Sequence, residues 1–177
     1  MSRHVRVAAA VLATLVAACS RAPRPDGGTA PAATPEPAVI SAVTLFFPGE
    51  DGLLERETRE VADLAAPGPA RVRAIVAELI AGSQQGRPAA LPWAATLHAA
   101  FVDRAGNAFV DLSAPPEGAI EGTADEAAVV YAVVESVVAN CPGVERVQLL
   151  FDGSEVATLG HLDLSRPLAP RPELVAP

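Results

Sequence analysis

Two short strings set a carboxylate and a hydroxyl after an apolar run: VDLSAP at Val110–Pro115 and LDLSRP at Leu162–Pro167. Paired carboxylates at Asp111 and Asp163 would suit acid–base chemistry, and with His161 they would offer ligands to a metal. The spacing favours a structural role. Asp and Ser after a strand cap exposed backbone amides and start a turn, and proline fixes the exit. A metal site wants more ligands at tighter spacing. His98 falls among alternating apolar residues and His161 between Gly160 and Leu162, settings of a surface or hydrogen-bonded histidine more than of a catalytic base. The string DGSEV at Asp152–Val156 is a hairpin turn and not a nucleophile elbow, and the sequence has no glycine-rich phosphate loop. Cys141 closes a helical segment, where the dipole disfavours a thiolate, so a buried inert thiol is expected. Trp93 and Phe101 read as core packing over a ligand groove. The acidic run from Glu50-Asp51 to Asp63 lacks calcium-loop spacing and is interrupted by Arg56 and Arg59; it reads as a solvated face. No catalytic residue, metal or cofactor is assigned, and the chain does not read as an enzyme.

Cys19 is the one residue with a specific covalent chemistry. Arg3, His4 and Arg6 precede an apolar stretch, Val7 to Ala18, that ends in Leu15-Val16-Ala17-Ala18-Cys19. A basic start, an apolar core and small residues before a cut site make a secretory signal. The stretch is too short to span a bilayer, which needs about 20 apolar residues. The run resembles the lipobox of bacterial lipoproteins. That resemblance implies cleavage between Ala18 and Cys19, a thioether lipid on Cys19 and acylation of the new amino terminus by a fatty acid such as palmitate. The chain is therefore expected to be exported and anchored by its lipid to the cell membrane or outer membrane, its domain outside the cytoplasm. Ser20 would permit outer-membrane sorting in a bacterium with two membranes.

The composition narrows the partners. Every one of the 13 Lys+Arg residues is arginine. Loss of Arg3 and Arg6 with the signal leaves 11 against 21 acidic residues, a formal charge of −10. An acidic surface with no basic cluster excludes nucleic acid and anionic lipid as natural partners. Half of the residues are apolar, so a chain of this length builds a core without a disulfide staple; with Cys19 lipidated, Cys141 has no partner for one.

The elements that must position any site follow from periodicity and punctuation. Residues 1–18 read as signal and 19–38 as lipidated cysteine plus tether, with five prolines from Pro23 to Pro37. Residues 39–168 read as one domain and 169–177 as a loose tail. Val39–Phe47 is β-branched and aromatic and ends at Pro48-Gly49, a first strand. Leu53–Val61 reads as its charged partner at a sheet edge, where charge blocks pairing with another chain; a short helix competes for this segment. Val72, Ile75, Val76, Leu79 and Ile80 form one helical stripe opened by Pro67-Gly68-Pro69 and stopped by Gly82. Thr96–Asp103 and Ala108–Leu112 flank Ala105-Gly106-Asn107 as a hairpin. Thr123 and Glu126 have capping-box spacing before a stripe of Ala127, Val130, Tyr131, Val134, Val137 and Val138. Val144–Phe151 is a further strand, Asp152-Gly153 a turn, and Glu155–Leu159 its return. The order β-β-α-β-β-α-β-β predicts an α+β fold, a largely antiparallel sheet of hairpin-paired strands with two helices on one face.

The succession of Leu45-Phe46-Phe47, IVAELIAG at Ile75–Gly82, FVDLS at Phe109–Ser113, VERVQLLFDG at Val144–Gly153 and LGHLDLSRPL at Leu159–Leu168 resembles the GerMN domain of sporulation and germination lipoproteins. The domain occurs once here, whereas the sporulation protein that names the family looks like a tandem. The resemblance implies a non-catalytic domain that builds or links envelope assemblies, with a fold similar to ring-building domains of secretion-like complexes. It brings no agreed ligand. The expected role is a protein–protein scaffold or accessory subunit, with Arg56 and Arg59 as a candidate partner surface; the alternative is a module that binds cell-wall glycan or a small ligand.

Overall fold

The structure, a computed structural model, describes residues 39–120 and 122–177. The signal, the tether, Ala18 and Cys19 lie outside them. Strands β1 (Ile40–Pro48) and β2 (Leu54–Ala62) form an antiparallel two-stranded ribbon. Helix α1 spans Pro69–Ile80, with Val72, Ile75, Val76 and Leu79 buried as its stripe requires. The hairpin of β3 (Leu97–Val102) and β4 (Asn107–Leu112) follows, then helix α2 (Thr123–Asn140) and β5 (Arg146–Phe151). The fold is α+β, with two helices and mostly antiparallel strands.

One strand pair departs from the hairpin pattern. β5 lies parallel to β4, with Asn107 opposite Arg146 and Leu112 opposite Phe151. Hairpin pairing leaves the two strand pairs unjoined, and a parallel neighbour needs a long crossover. The 18 residues of α2 supply it. The return strand is also shorter than expected. β6 is only Ser154–Glu155; β7 (Thr158–Leu159) turns instead around Gly160-His161 to pair with β8 (Leu162–Asp163). Strand period places Ala100, Ala108, Val110, Leu112, Val147, Leu149 and Phe151 in the core.

α2 is the centre of the molecule. Val129 through Val134 and Val137 are all buried, so the helix is wrapped on most of its circumference and the single expected stripe is too narrow. It does not begin with the capping box either. Gly122 is the N-cap, without a side-chain cap, and Glu126 instead accepts the His161 backbone N–H at 2.8 Å. Its C-terminal end closes the outer edge of β1. Asn140 Oδ1 accepts the Thr44 N–H at 2.9 Å, Asn140 Nδ2 donates to the Thr44 carbonyl at 2.6 Å, and Ser136 Oγ accepts the Phe46 N–H at 3.0 Å. Side chains of a helix thus stand where another strand would pair. Asn140→Ala strands both backbone groups of Thr44; the expected loss is about 2 kcal/mol, the penalty for unpaired buried polar groups. Urea unfolding checks it, as a lower midpoint at unchanged slope.

The tail is docked and not loose. A 3₁₀ turn at Pro172–Leu174 leads to Val175, which is buried and bridges Leu54, while Ala176 donates to the Leu54 carbonyl at 2.9 Å. The tail covers part of the free edge of β2.

Candidate functional site

The carboxylates that open the chemical question are turn caps. Asp111 accepts the Gly153 N–H at 2.8 Å. Asp163 accepts the Ser165 hydroxyl at 2.6 Å and backbone N–H at 2.9 Å, bonds that hold its carboxyl below the ordinary value. The histidines lean on other carboxylates: His98 Nε2 is 3.1 Å from Asp152 and His161 Nδ1 is 3.3 Å from Glu126. Neither pairs with Asp111 or Asp163. Among the described residues no three His, Cys, Asp or Glu come together as a metal-holding group, and no helix is long and apolar enough to cross a membrane.

The charged strand holds a second surprise. β2 turns alternate side chains toward the core, opposite Val43, Leu45 and Phe47 of β1. Those positions are Arg59, Glu57 and Glu55. Glu57 is 2% exposed and Arg59 6%, so Arg59 offers no partner surface, and this stretch is not a solvated face throughout. Arg59 ion-pairs with Glu57 and, at 3.2 Å, with Glu78; it also donates to the Gly82 carbonyl at 2.9 Å. Its guanidinium stands 5.7 Å from the Phe47 ring centroid. Glu57 further accepts from Ser83 Oγ, the Gln84 N–H and Arg87. Burial alone would raise the Glu57 carboxyl, but the bonds from Ser83, Gln84 and Arg59, with the Arg59 charge, outweigh it and leave the group below its ordinary value. The cluster ties β2 to the loop after α1. Arg56 is exposed and donates to the Ala176 carbonyl at 2.6 Å; it anchors the tail.

Cys141 is 1% exposed, and burial pushes its thiol up to about 11 against a smaller opposing effect of Arg71. A thiol this protonated and enclosed is inert. The folded domain is expected to resist a bulky thiol reagent at neutral pH and to react fully once unfolded, as followed by mass shift; fast labelling of the folded protein would reverse the assignment.

The unoccupied surface lies on the hairpin. Phe101 is 62% exposed and so is not core packing. Strand period forces the outcome: Ala100 points inward, so Phe101 points away from the helices. It stands directly opposite Phe109, with the Ala99–Asp111 pair next along the same face, Phe109, Ala99 and Asp111 being half-buried; a bulge between Leu97 and Ala99 turns Leu97 to the core side, opposite Leu112. Trp93 is half-buried, and its Nε1 donates to the Ser113 carbonyl at 3.2 Å. The Phe101–Phe109 pair, flanked by Asp111, is an apolar spot that can exclude water against a matching surface.

Residues 44–157 match the family model Germane, described as sporulation and spore germination. Among solved structures, the chain resembles the tandem GerMN domains of the sporulation protein GerM from Bacillus subtilis, with TM-score 0.56 and 14% identity. That match covers 82% of this chain and 51% of the tandem, so the chain spans about half of it. The first GerMN domain of the same protein matches with TM-score 0.49 and 16% identity over 73% of this chain and 94% of that one. A candidate lipoprotein from Clostridium perfringens matches with TM-score 0.49 and 21% identity over 75% of this chain and 87% of that one. No curated protein matches the sequence.

Proposed function

Because the chain belongs to the Germane family of sporulation and spore germination, we propose that it is a lipid-anchored envelope protein whose domain recruits a protein partner and catalyses nothing. The anchor rests on the lipobox-like run ending at Cys19, and the reach on the proline-rich stretch to residue 38. Fully extended at about 3.1 Å per residue, a tether of this length would let the domain reach several tens of Å from the bilayer. The contact rests on one observation, Phe101 at 62% exposure beside Phe109 on the face away from the helices. Large aromatics of this kind dominate protein interfaces. The partner that fits is an envelope protein presenting an apolar surface to the Phe101–Phe109 pair.

The test is affinity capture from envelope extracts, natural protein against Phe101→Glu, with partners quantified by mass spectrometry. Capture of the natural protein's partner is expected to fall about fivefold or more, the loss that a 1 kcal/mol contact represents, while the melting temperature holds. An unchanged capture profile would remove this face from the interface. Turnover of cell-wall fragments that vanishes in a folded His161→Ala variant would replace association with catalysis.

A further inference from the structure

We propose that the cavity walled by Arg146, Arg166 and Arg171 over Tyr131 binds a phosphomonoester group. The cavity, of about 420 Å³, lies between the centre of α2, the start of β5 and the chain that follows β8. It inverts the charge of the molecule. In a chain with 21 acidic and 13 basic residues, three guanidiniums line one cavity against a single lining carboxylate, Asp163. Asp163 is already engaged by Ser165 and stands 3.8 Å from Arg166. Arg146 and Arg171 have no side-chain ion pair among the described residues. The lining therefore carries two net positive charges, the complement of a phosphomonoester at −1.5 to −2. A singly charged carboxylate would leave one of them unmatched. Guanidinium forks also suit phosphate oxygens geometrically, each presenting two parallel N–H donors.

The floor of the cavity is built and not incidental. Tyr131 is 1% exposed yet reaches the lining, and no described residue hydrogen-bonds its hydroxyl. Burial raises the phenol above its ordinary value, with Glu173 and Glu135 adding to that and Arg171 opposing it. Tyr131 thus stays a neutral O–H donor at neutral pH. Arg171 is held over it: its guanidinium lies 5.1 Å from the Tyr131 ring centroid, and its backbone N–H donates to Glu135 at 2.6 Å. A cation stacked on the ring and a free hydroxyl below make a preorganised oxyanion seat. The volume exceeds that of a phosphate alone and admits a small polyol or sugar on it.

The experiment is titration calorimetry of the full-length protein in mild detergent with glycerol 3-phosphate, with acetate at equal ionic strength as the control. Saturable binding of glycerol 3-phosphate, weakened by added salt and absent with acetate, is expected. Arg146→Gln with Arg166→Gln should weaken it about tenfold or more, since each removes a charge-assisted contact. Both arginines are exposed, so the melting temperature should hold; if the pair does not fold, each single variant carries the same expectation. Tyr131→Phe should weaken binding without moving the acetate baseline. No saturation, an equal response to acetate, or undiminished binding in the folded double variant would overturn the proposal. Phe101→Glu should leave binding unchanged, which separates this site from the hairpin surface.

Discussion

Cys19→Ala is expected to abolish fatty-acid labelling completely and to move the protein from the membrane pellet to the soluble fraction. The effect is all-or-none because the thioether has one possible donor. The only other thiol, Cys141, is 1% exposed and pushed up to about 11, so no thiolate is available to take its place. On the proposed anchor, the lipid would carry all of the anchoring as well. No helix among the described residues can cross a membrane, and an acidic domain without lysine carries no juxtamembrane polybasic stretch to add electrostatic anchoring. A single acyl chain holds a protein only marginally, and stable anchoring takes two membrane signals. The proposed thioether lipid and acylated amino terminus would both sit on Cys19, so one substitution would remove both. Metabolic labelling with a fatty-acid analogue and membrane fractionation read the outcome. Equal label on the variant and the natural protein would sink the anchor.

Where local pattern alone fixes an element, the sequence was sufficient. Val72, Ile75, Val76 and Leu79 repeat at helical spacing and are the buried face of α1. Gly106 between two alternating runs gives the β3–β4 turn, with φ of 80° and Gly143 packed so close that a Cβ would meet its carbonyl at 2.9 Å. The same reading failed wherever the deciding partner was distant. Ser83 lies 26 residues from Glu57 and Asn140 lies 96 from Thr44. Neither the burial of the charged strand nor the closure of the β1 edge has any local signal. Glu126 has capping-box spacing, but the His161 amide competes for its carboxylate across 35 residues and wins. α2 is apolar on nearly every side, so its pattern names no face. Phe101 was misplaced by residue type: its own strand period, with Ala100 inward, was the better guide. The phosphate seat was equally hidden, since Tyr131 comes from α2, Arg146 from β5, and Arg166 and Arg171 from the chain after β8.

Glu57→Ala is expected to cost about 3 kcal/mol, because it takes from the buried Arg59 its nearest carboxylate and leaves only the partly exposed Glu78 to match its charge. In a domain of this size that lowers the melting temperature by roughly 10 °C. The cost lies in the under-compensated buried cation more than in the bond itself. Glu57→Leu with Arg59→Met, which removes both charges at similar volume, should therefore recover most of the loss. The pair also sets an acid limit. The Glu57 carboxyl lies below its ordinary value in the folded protein, whereas the unfolded chain titrates near pH 4.3. Between those values the unfolded state binds the extra proton, so the stability that Glu57 contributes is complete above the unfolded value and is lost as pH falls through the folded one. Glu135 acts in the opposite sense: burial raises its carboxyl, so folding favours its protonation and stability gains as pH falls through that range. A single melting curve against pH mixes the two. The gap between the natural protein and Glu57→Gln isolates Glu57, since the glutamine is neutral throughout. That gap is expected to be widest near pH 7 and to close below pH 4 as the natural carboxylate takes up its proton. A gap that stays constant from pH 7 to pH 3 would mean that shape, and not charge, holds β2 against the loop after α1.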